Sequence, residues 1–201
     1  MKIYLARHGQ SRWQIERGEV DWRSPLSDLG HQQGRLLGNW LGNGAQINND
    51  TRVDIKAIYA SPLERAHKTA VYTANTLNLP ITTVKPLAEA EFLVSQHLPS
   101  ALSPRQPPTN SILSDEYLTF KAQAQSALDK LVAEAEIHGG PILAFAHGAL
   151  ISTLLRIAAG SDTVSFWIYN TSLNLIEWKR GRWHFIYLNL LDHLPPELRT
   201  Y

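Results

Sequence analysis

Arg7-His8-Gly9 stands at the end of a short, mostly apolar run, Lys2-Ile3-Tyr4-Leu5-Ala6. Near neutral pH an imidazole serves as a nucleophile or a proton carrier. A guanidinium beside it is a planar, bidentate partner for phosphate or carboxylate. The pair points to an anion site with a reactive histidine; the competing reading is a strand end with two solvated charges. A second histidine-glycine step, His147-Gly148, follows another apolar run over residues 142–146. Arg65 closes Ser61-Pro62-Leu63-Glu64-Arg65, where Ser61 can cap and Pro62 suits the first turn of a helix. A cation in a first helical turn opposes the helix dipole unless an anion sits nearby, so Arg65 is a third candidate anion ligand, with a surface arginine paired to Glu64 or to a neighbouring loop as the alternative.

These residues need a frame. The runs over 2–6, 55–60, 79–84 (entered through Pro80) and 142–146 read as strands. Helical patterns start at Ser27 and end near Gly42, run from Pro62 to about Leu77, from Ser114 to about Glu136, and from about Ala149 to Ala159. Open α/β sheets place ligands at the carboxyl ends of their strands, so the two strand-histidine-glycine steps fit one crevice. Within the first long helix Gln33 lies off most of the apolar stripe and reads as solvated. Residues 14–24 read as a loop, with Gly18 and Trp22, and residues 48–54 as a polar connection. A stretch rich in Pro, Ser and Leu from Phe92 to Asn110 reads as an irregular excursion or lid, within a cap region of about 90–120. Strands near 173–178 and 183–188 form an expected antiparallel hairpin through Lys179-Arg180-Gly181-Arg182, whose basic residues read as a solvated tip. Residues 192–201 read as a peripheral tail. No long linker divides the chain, so a single domain over 1–201 is expected.

Composition bounds the chemistry. The chain has 201 residues, 44% hydrophobic and 18% charged, which is enough for a buried core and argues against disorder. A net charge of +1 gives no general drive toward nucleic acid or an anionic membrane, so neither is an expected partner. The absence of cysteine excludes disulfides, thiolate metal sites and a cysteine nucleophile. No signal-peptide pattern opens the chain and no apolar run approaches the ~20 residues that span a bilayer, so the cytoplasm is the expected location. The six tryptophans read most simply as core and pocket-lining groups, with a homodimer interface as the alternative use of exposed aromatics.

Five blocks, in order, resemble the histidine phosphatase superfamily, the group that includes phosphoglycerate mutases. They are Arg7-His8-Gly9-Gln10-Ser11-Arg12-Trp13, Pro25-Leu26-Ser27-Asp28-Leu29-Gly30-His31-Gln32-Gln33-Gly34, Ala60-Ser61-Pro62-Leu63-Glu64-Arg65-Ala66-His67-Lys68-Thr69-Ala70, Leu87-Ala88-Glu89 and Ala146-His147-Gly148. The resemblance implies an α/β fold, a three-layer α/β/α sandwich with a mostly parallel central sheet and a phosphate pocket at its strand ends. It implies that His8 attacks phosphorus while Arg7, Arg65 and His147 hold the phosphoryl oxygens. Gly9 and Gly148 would let the backbone approach the anion. Glu89, with Glu91 as rival, is the candidate acid for the leaving group and base for water. Gln10, Ser11 and Asn170 are further candidate donors. Gln14 stands where the family commonly has an asparagine, which puts that phosphate contact in question. Arg23 replaces a frequent aspartate, and Leu93 a frequent glycine.

No nucleotide-binding Gly-x-x-x-x-Gly-Lys loop, zinc-type His-Glu-x-x-His pattern or Gly-x-Ser-x-Gly elbow is present, and the first strand lacks paired aspartates. No metal or cofactor is expected. The reading is a phosphatase acting on a small phosphorylated substrate. A phosphoglycerate-type mutase is the enzymatic alternative; family mutases use extra basic residues in the excursion, and residues 91–121 offer few beyond His97, Arg105 and Lys121. A non-catalytic phospholigand-binding protein is the alternative from another class.

Overall fold

The computed structural model describes residues 1–16, 21–47, 51–108 and 112–201. In chain order its elements are β1 (Lys2–Arg7), α1 (Arg12–Glu16), α2 (Asp28–Gly42), β2 (Gln46–Ile47), β3 (Thr51–Arg52), β4 (Ala57–Ala60), α3 (Glu64–Leu77), β5 (Ile81–Thr83), α4 (Asp115–His138), β6 (Ile142–Ala146), α5 (Gly148–Ala159), β7 (Leu173–Lys179) and β8 (Arg182–Leu190). The main sheet has the order β5-β4-β6-β1-β7-β8. Its first four strands run parallel; β7 joins β1 antiparallel and β8 closes the hairpin. This is the mostly parallel α/β sheet expected, with its antiparallel C-terminal hairpin.

The side-chain period of two divides β1 between two cores. Ile3 and Leu5 pack on the face covered by α4 and α5, with Leu128, Leu131, Leu150 and Leu154. Tyr4 and Ala6 face α2 and α3, with Leu37, Leu41, Ala70 and Ala74. Strand β6 is buried at every position, as a parallel strand covered on both faces must be. The long helices start where the sequence caps them. Ser27 Oγ accepts from Gly30 N–H at 3.0 Å, and Ser114 Oγ accepts from Tyr117 N–H at 3.2 Å. At the hairpin tip Arg180 and Gly181 both have positive φ, 54° and 75°, the pairing a two-residue turn between twisted strands requires.

Several expectations need correction. Arg12–Glu16 is a helix where a loop was expected to begin at Gln14. It starts with a side-chain contact that the apolar pattern does not register: Gln14 Oε1 accepts from Ser11 N–H at 2.9 Å. Gly18 and the neighbouring loop positions lie outside the described residues. Helix α3 begins at Glu64 with Leu63 as its cap residue and no side-chain cap, because the Ser61 hydroxyl is turned to other partners. Gln33 is not solvated; it is fully buried. Its amide oxygen accepts from Gln10 N–H at 2.8 Å, and its amide nitrogen donates to Leu198 O at 2.7 Å and Thr200 Oγ1 at 2.9 Å. The same bonds bring the tail in from the periphery, and Asn170 N–H donates to Thr200 O at 2.9 Å. None of the six tryptophans belongs to the buried core. Trp13 and Trp22 line a cleft, and Trp167 and Trp178 are exposed. No helix among the described residues is long and apolar enough to cross a membrane.

Candidate active site

Three adjacent parallel strands deliver the reactive groups to one edge. His8 follows β1, and its N–H still donates to Ala146 O of β6 at 3.0 Å. Ser61 follows β4 and donates likewise to Phe145 O at 2.9 Å. His147 follows β6 and is the residue before α5. The rings of His8 and His147 lie 5.1 Å apart, centroid to centroid.

The hydrogen bonds of His8 assign its tautomer. Arg65 Nε donates to His8 Nε2 at 3.1 Å. Guanidinium nitrogens only donate, so Nε2 carries a lone pair. The ring proton then belongs on Nδ1, which donates to Gly9 O at 2.6 Å. Burial, then the charges of Arg65 and Arg7, push the imidazole well below its ordinary pKa of 6.5. His147 is shifted the same way by burial, by His8 and by the two arginines. Both rings are therefore neutral near pH 7. His147 Nε2 shares a hydrogen with Ser61 Oγ at 2.8 Å. Its Nδ1 and the Nε of Arg7 are buried and have no partner among the described residues.

Arg65 sits in the first turn of α3, buried, and also donates to the carbonyl of Trp22. Arg7 is fixed by a bond from its Nη1 to Ile168 O at 2.5 Å and lies 5.4 Å from the ring centre of Tyr201. Glu89 takes up the start of α5. Its Oε2 accepts from Ala149 N–H at 3.1 Å and its Oε1 from Leu150 N–H at 2.9 Å, so it supplies the cap that His147 does not. Burial raises the Glu89 pKa against the opposing pull of the Ala149 and Ala90 N–H bonds and of Arg65 and Arg7. Glu91 is exposed on the surface and does not line the cleft.

The remaining candidates support the site from behind. Asn170 Nδ2 donates to His8 O at 2.9 Å, and its Oδ1 accepts from Gln14 Nε2 at 3.0 Å and from Thr200 Oγ1 at 2.9 Å. Gln10 Oε1 accepts from Ser27 Oγ at 2.9 Å, and Ser11 Oγ donates to Gln14 Oε1 at 3.3 Å. These groups are engaged in holding the loop after β1. Gly9 serves packing: a Cβ there would lie 2.3 Å from Gly30 O, so its hydrogen is what lets α2 approach. A Cβ on Gly148 would meet Arg7 Nε at 3.4 Å, so this glycine leaves room for the guanidinium.

A cleft of about 310 Å³ is lined by Arg7, Gln14, Glu89 and Gly148, whereas His8, Arg65 and His147 are buried and do not line it. Its walls are Trp13, Trp22, Phe92, Leu98, Phe166 and Ile168, so the segment after Glu89 contributes directly. Sequence reading missed Arg156, Ser152 and Tyr201 on the same cleft. Arg156 looked like an ordinary helix residue, and the one available signal was its position two turns beyond His147-Gly148. Among the described residues no group of His, Asp and Glu is arranged to hold a metal ion.

Comparison with known proteins agrees with this fold. A Bacillus subtilis (strain 168) protein named uncharacterized phosphatase PhoE is 28% identical over 198 residues, covering 96% of each chain. The fold is shared with phosphoserine phosphatase from Entamoeba histolytica in complex with 3-phosphoglyceric acid, at TM-score 0.72, 20% identity and coverage of 96% of this chain and 99% of that one. It is shared too with a mycobacterial glucosyl-3-phosphoglycerate phosphatase in complex with inorganic phosphate, at TM-score 0.69, 18% identity and coverage of 96% and 99%. The family model described as histidine phosphatase superfamily (branch 1) matches residues 3–191, so the chain belongs to that superfamily and is an enzyme of the phosphomonoesterase kind.

Proposed function

We propose that this chain hydrolyses small-molecule phosphomonoesters through a phosphohistidine on His8, with no metal ion taking part. The observation that carries this reading is the Arg65–His8 bond, because it requires a lone pair on Nε2 of a buried, neutral imidazole. The phosphoryl group enters beside Arg7, Arg65 and His147. The unpartnered Arg7 Nε donates to an equatorial oxygen. His147 Nδ1 does the same in the tautomer in which Ser61 Oγ donates to Nε2. Charge spread over those oxygens is what a phosphoryl-transfer site must stabilise, and two guanidiniums supply that stabilisation.

In the first step the His8 Nε2 lone pair forms a bond to phosphorus and the ester P–O bond breaks. Glu89, whose carboxyl is shifted by burial toward the protonated form, gives its proton to the departing alkoxide. In the second step Glu89 carboxylate takes a proton from water, the water oxygen bonds to phosphorus, and the N–P bond breaks. Inorganic phosphate leaves and His8 returns to its neutral form. The segment around 92–98 covers the cleft and limits the size of the alcohol.

Rapid quench with a ³²P-labelled phosphomonoester tests the mechanism. Acid-labile, base-stable label on the native protein and none on His8→Ala is the expected result, with turnover unaffected by chelator. Turnover that survives His8→Ala overturns it.

A further inference from the structure

Arg156 is 2% exposed and lines the same cleft as Arg7 and Glu89. Its Nε donates to Tyr117 Oη at 3.0 Å, Nη1 to Ser152 Oγ at 2.8 Å and Nη2 to Thr153 Oγ1 at 2.6 Å. All three partners are hydroxyls. Among the described residues no carboxylate forms an ion pair with it. The nearby acid, Asp162, pairs with Lys121 at 2.5 Å, accepts from Tyr117 Oη at 2.8 Å and also feels the charge of Arg156, so one carboxylate answers two cations. A buried guanidinium with only a shared counter-charge is costly, and a protein that keeps one beside a substrate cleft gains most when an anion arrives.

Charge accounting indicates which anion. With Glu89 protonated for its first role, Arg7 and Arg65 together balance a phosphoryl dianion. Lys121 and Arg156 share the one charge of Asp162. One positive charge is left over. Its bonds to Ser152 and Thr153, one turn back along α5, draw the guanidinium toward the helix start. That places it roughly one helical turn, about 5 Å, beyond the level of Gly148. The terminal nitrogens keep N–H groups with no further protein acceptor among the described residues, in the fork geometry suited to a carboxylate.

We propose that Arg156, with Ser152 beside it, is a second anion subsite that takes a carboxylate of the substrate. The enzyme's preferred phosphomonoesters then carry a carboxylate close to the phosphoryl ester. This rests on the hydrolytic reading above and narrows its substrate class.

The test uses substrate pairs that differ mainly by the carboxylate: O-phosphoserine against phosphoethanolamine, and 3-phosphoglycerate against glycerol 3-phosphate. Fructose 1,6-bisphosphate against fructose 6-phosphate is the second-phosphate arm, and p-nitrophenyl phosphate with the His8→Ala control reports the hydrolytic reading itself. For the native enzyme kcat/KM is expected to favour the carboxylated member of at least one pair by about tenfold to a hundredfold, the worth of a charged hydrogen bond. The ratio falls toward one in Arg156→Met, mostly through KM, and is partly kept in Arg156→Lys. If Arg156→Met does not fold, the native ratios and Arg156→Lys decide. His8-dependent hydrolysis of the aryl phosphate without preference for either carboxylated compound overturns the subsite and leaves the hydrolytic reading standing. So does an unchanged ratio in Arg156→Met. A preference confined to the bisphosphate overturns the carboxylate assignment, and absence of His8-dependent turnover on every compound overturns both.

Discussion

Arg65 donates its Nε hydrogen to Nε2 of His8, the atom that would bond to phosphorus. The bond preorganises the ring and must be exchanged for the phosphoryl group as the reaction proceeds. A lysine in its place offers a charge without the planar fork that also holds the Trp22 carbonyl. Arg65→Lys is expected to lower kcat by about a hundredfold to a thousandfold, the usual scale for one transition-state donor. Steady-state kinetics with circular dichroism as a fold control checks this; a loss below tenfold removes Arg65 from the mechanism.

The pH dependence of activity separates the two ionising roles. His8 stays neutral well below its ordinary pKa, so the fall of kcat at rising pH belongs to Glu89, which must be protonated to release an alkoxide. Glu89→Gln is expected to lose that basic limb on alkyl phosphates and to lose less rate on p-nitrophenyl phosphate, whose leaving group needs little protonation. A basic limb unchanged in Glu89→Gln assigns the proton to another group.

Stability should change with pH through the buried histidines. His8 and His147 are held below 6.5, and His193 is lowered to about 4 by burial and by Arg199. As pH falls below 6.5 the unfolded chain takes up protons that the folded chain refuses, so stability decreases on acidification. Each group contributes at most about 1.4 kcal/mol per pH unit. Glu89 acts in the opposite sense above its ordinary value of 4.5, because the folded state keeps its proton longer. Urea unfolding between pH 7 and 5 should show a falling midpoint, with a shallower slope in His147→Gln.

Gly9 and Gly148 should respond differently to alanine. At Gly9 the new methyl meets the backbone oxygen of Gly30 at 2.3 Å and α2 must move, at a cost of about 1–3 kcal/mol or more. At Gly148 the contact is 3.4 Å from the Arg7 side chain, so Gly148→Ala should fold normally and alter KM through the guanidinium. Thermal melts and kinetics on both variants distinguish the outcomes.

Gln33→Leu keeps the volume of this buried side chain but removes its bonds to Gln10, Leu198 and Thr200. A loss of about 2–4 kcal/mol is expected from the buried groups left unpaired. Limited proteolysis should cut the segment after Leu194 faster than in the native protein; equal rates show that other contacts hold it.

Much of this was legible because burial writes a local pattern. The apolar runs ending at Ala6 and Ala146 are fully covered strands, and the histidines at their ends could go nowhere but the sheet edge. The apolar stripe of α4 and its capping Ser114 mark that helix within two residues. The misreadings share another cause. Gln33 is a polar residue whose burial is settled by partners far along the chain, Leu198 and Thr200, and no window of neighbours carries that information. Arg156 belongs to the same group: with Ser152 and Thr153 it is one of three polar positions on a mostly apolar helix, and its surroundings are set by Tyr117 and the cleft. Glu89 and Glu91 were alike in sequence and differ because α5 needs a cap from outside itself.

The bonds around His8 span unusual distances along the chain: 57 residues to Arg65 and 162 to Asn170. Closing such long loops costs entropy before any contact rewards it, so the pocket cannot mature on a nascent or half-collapsed chain. An intermediate holding β1, β6 and their helices would have the histidines without the groups that orient them. Recovery of activity during refolding is therefore expected to report the closing of the whole sheet.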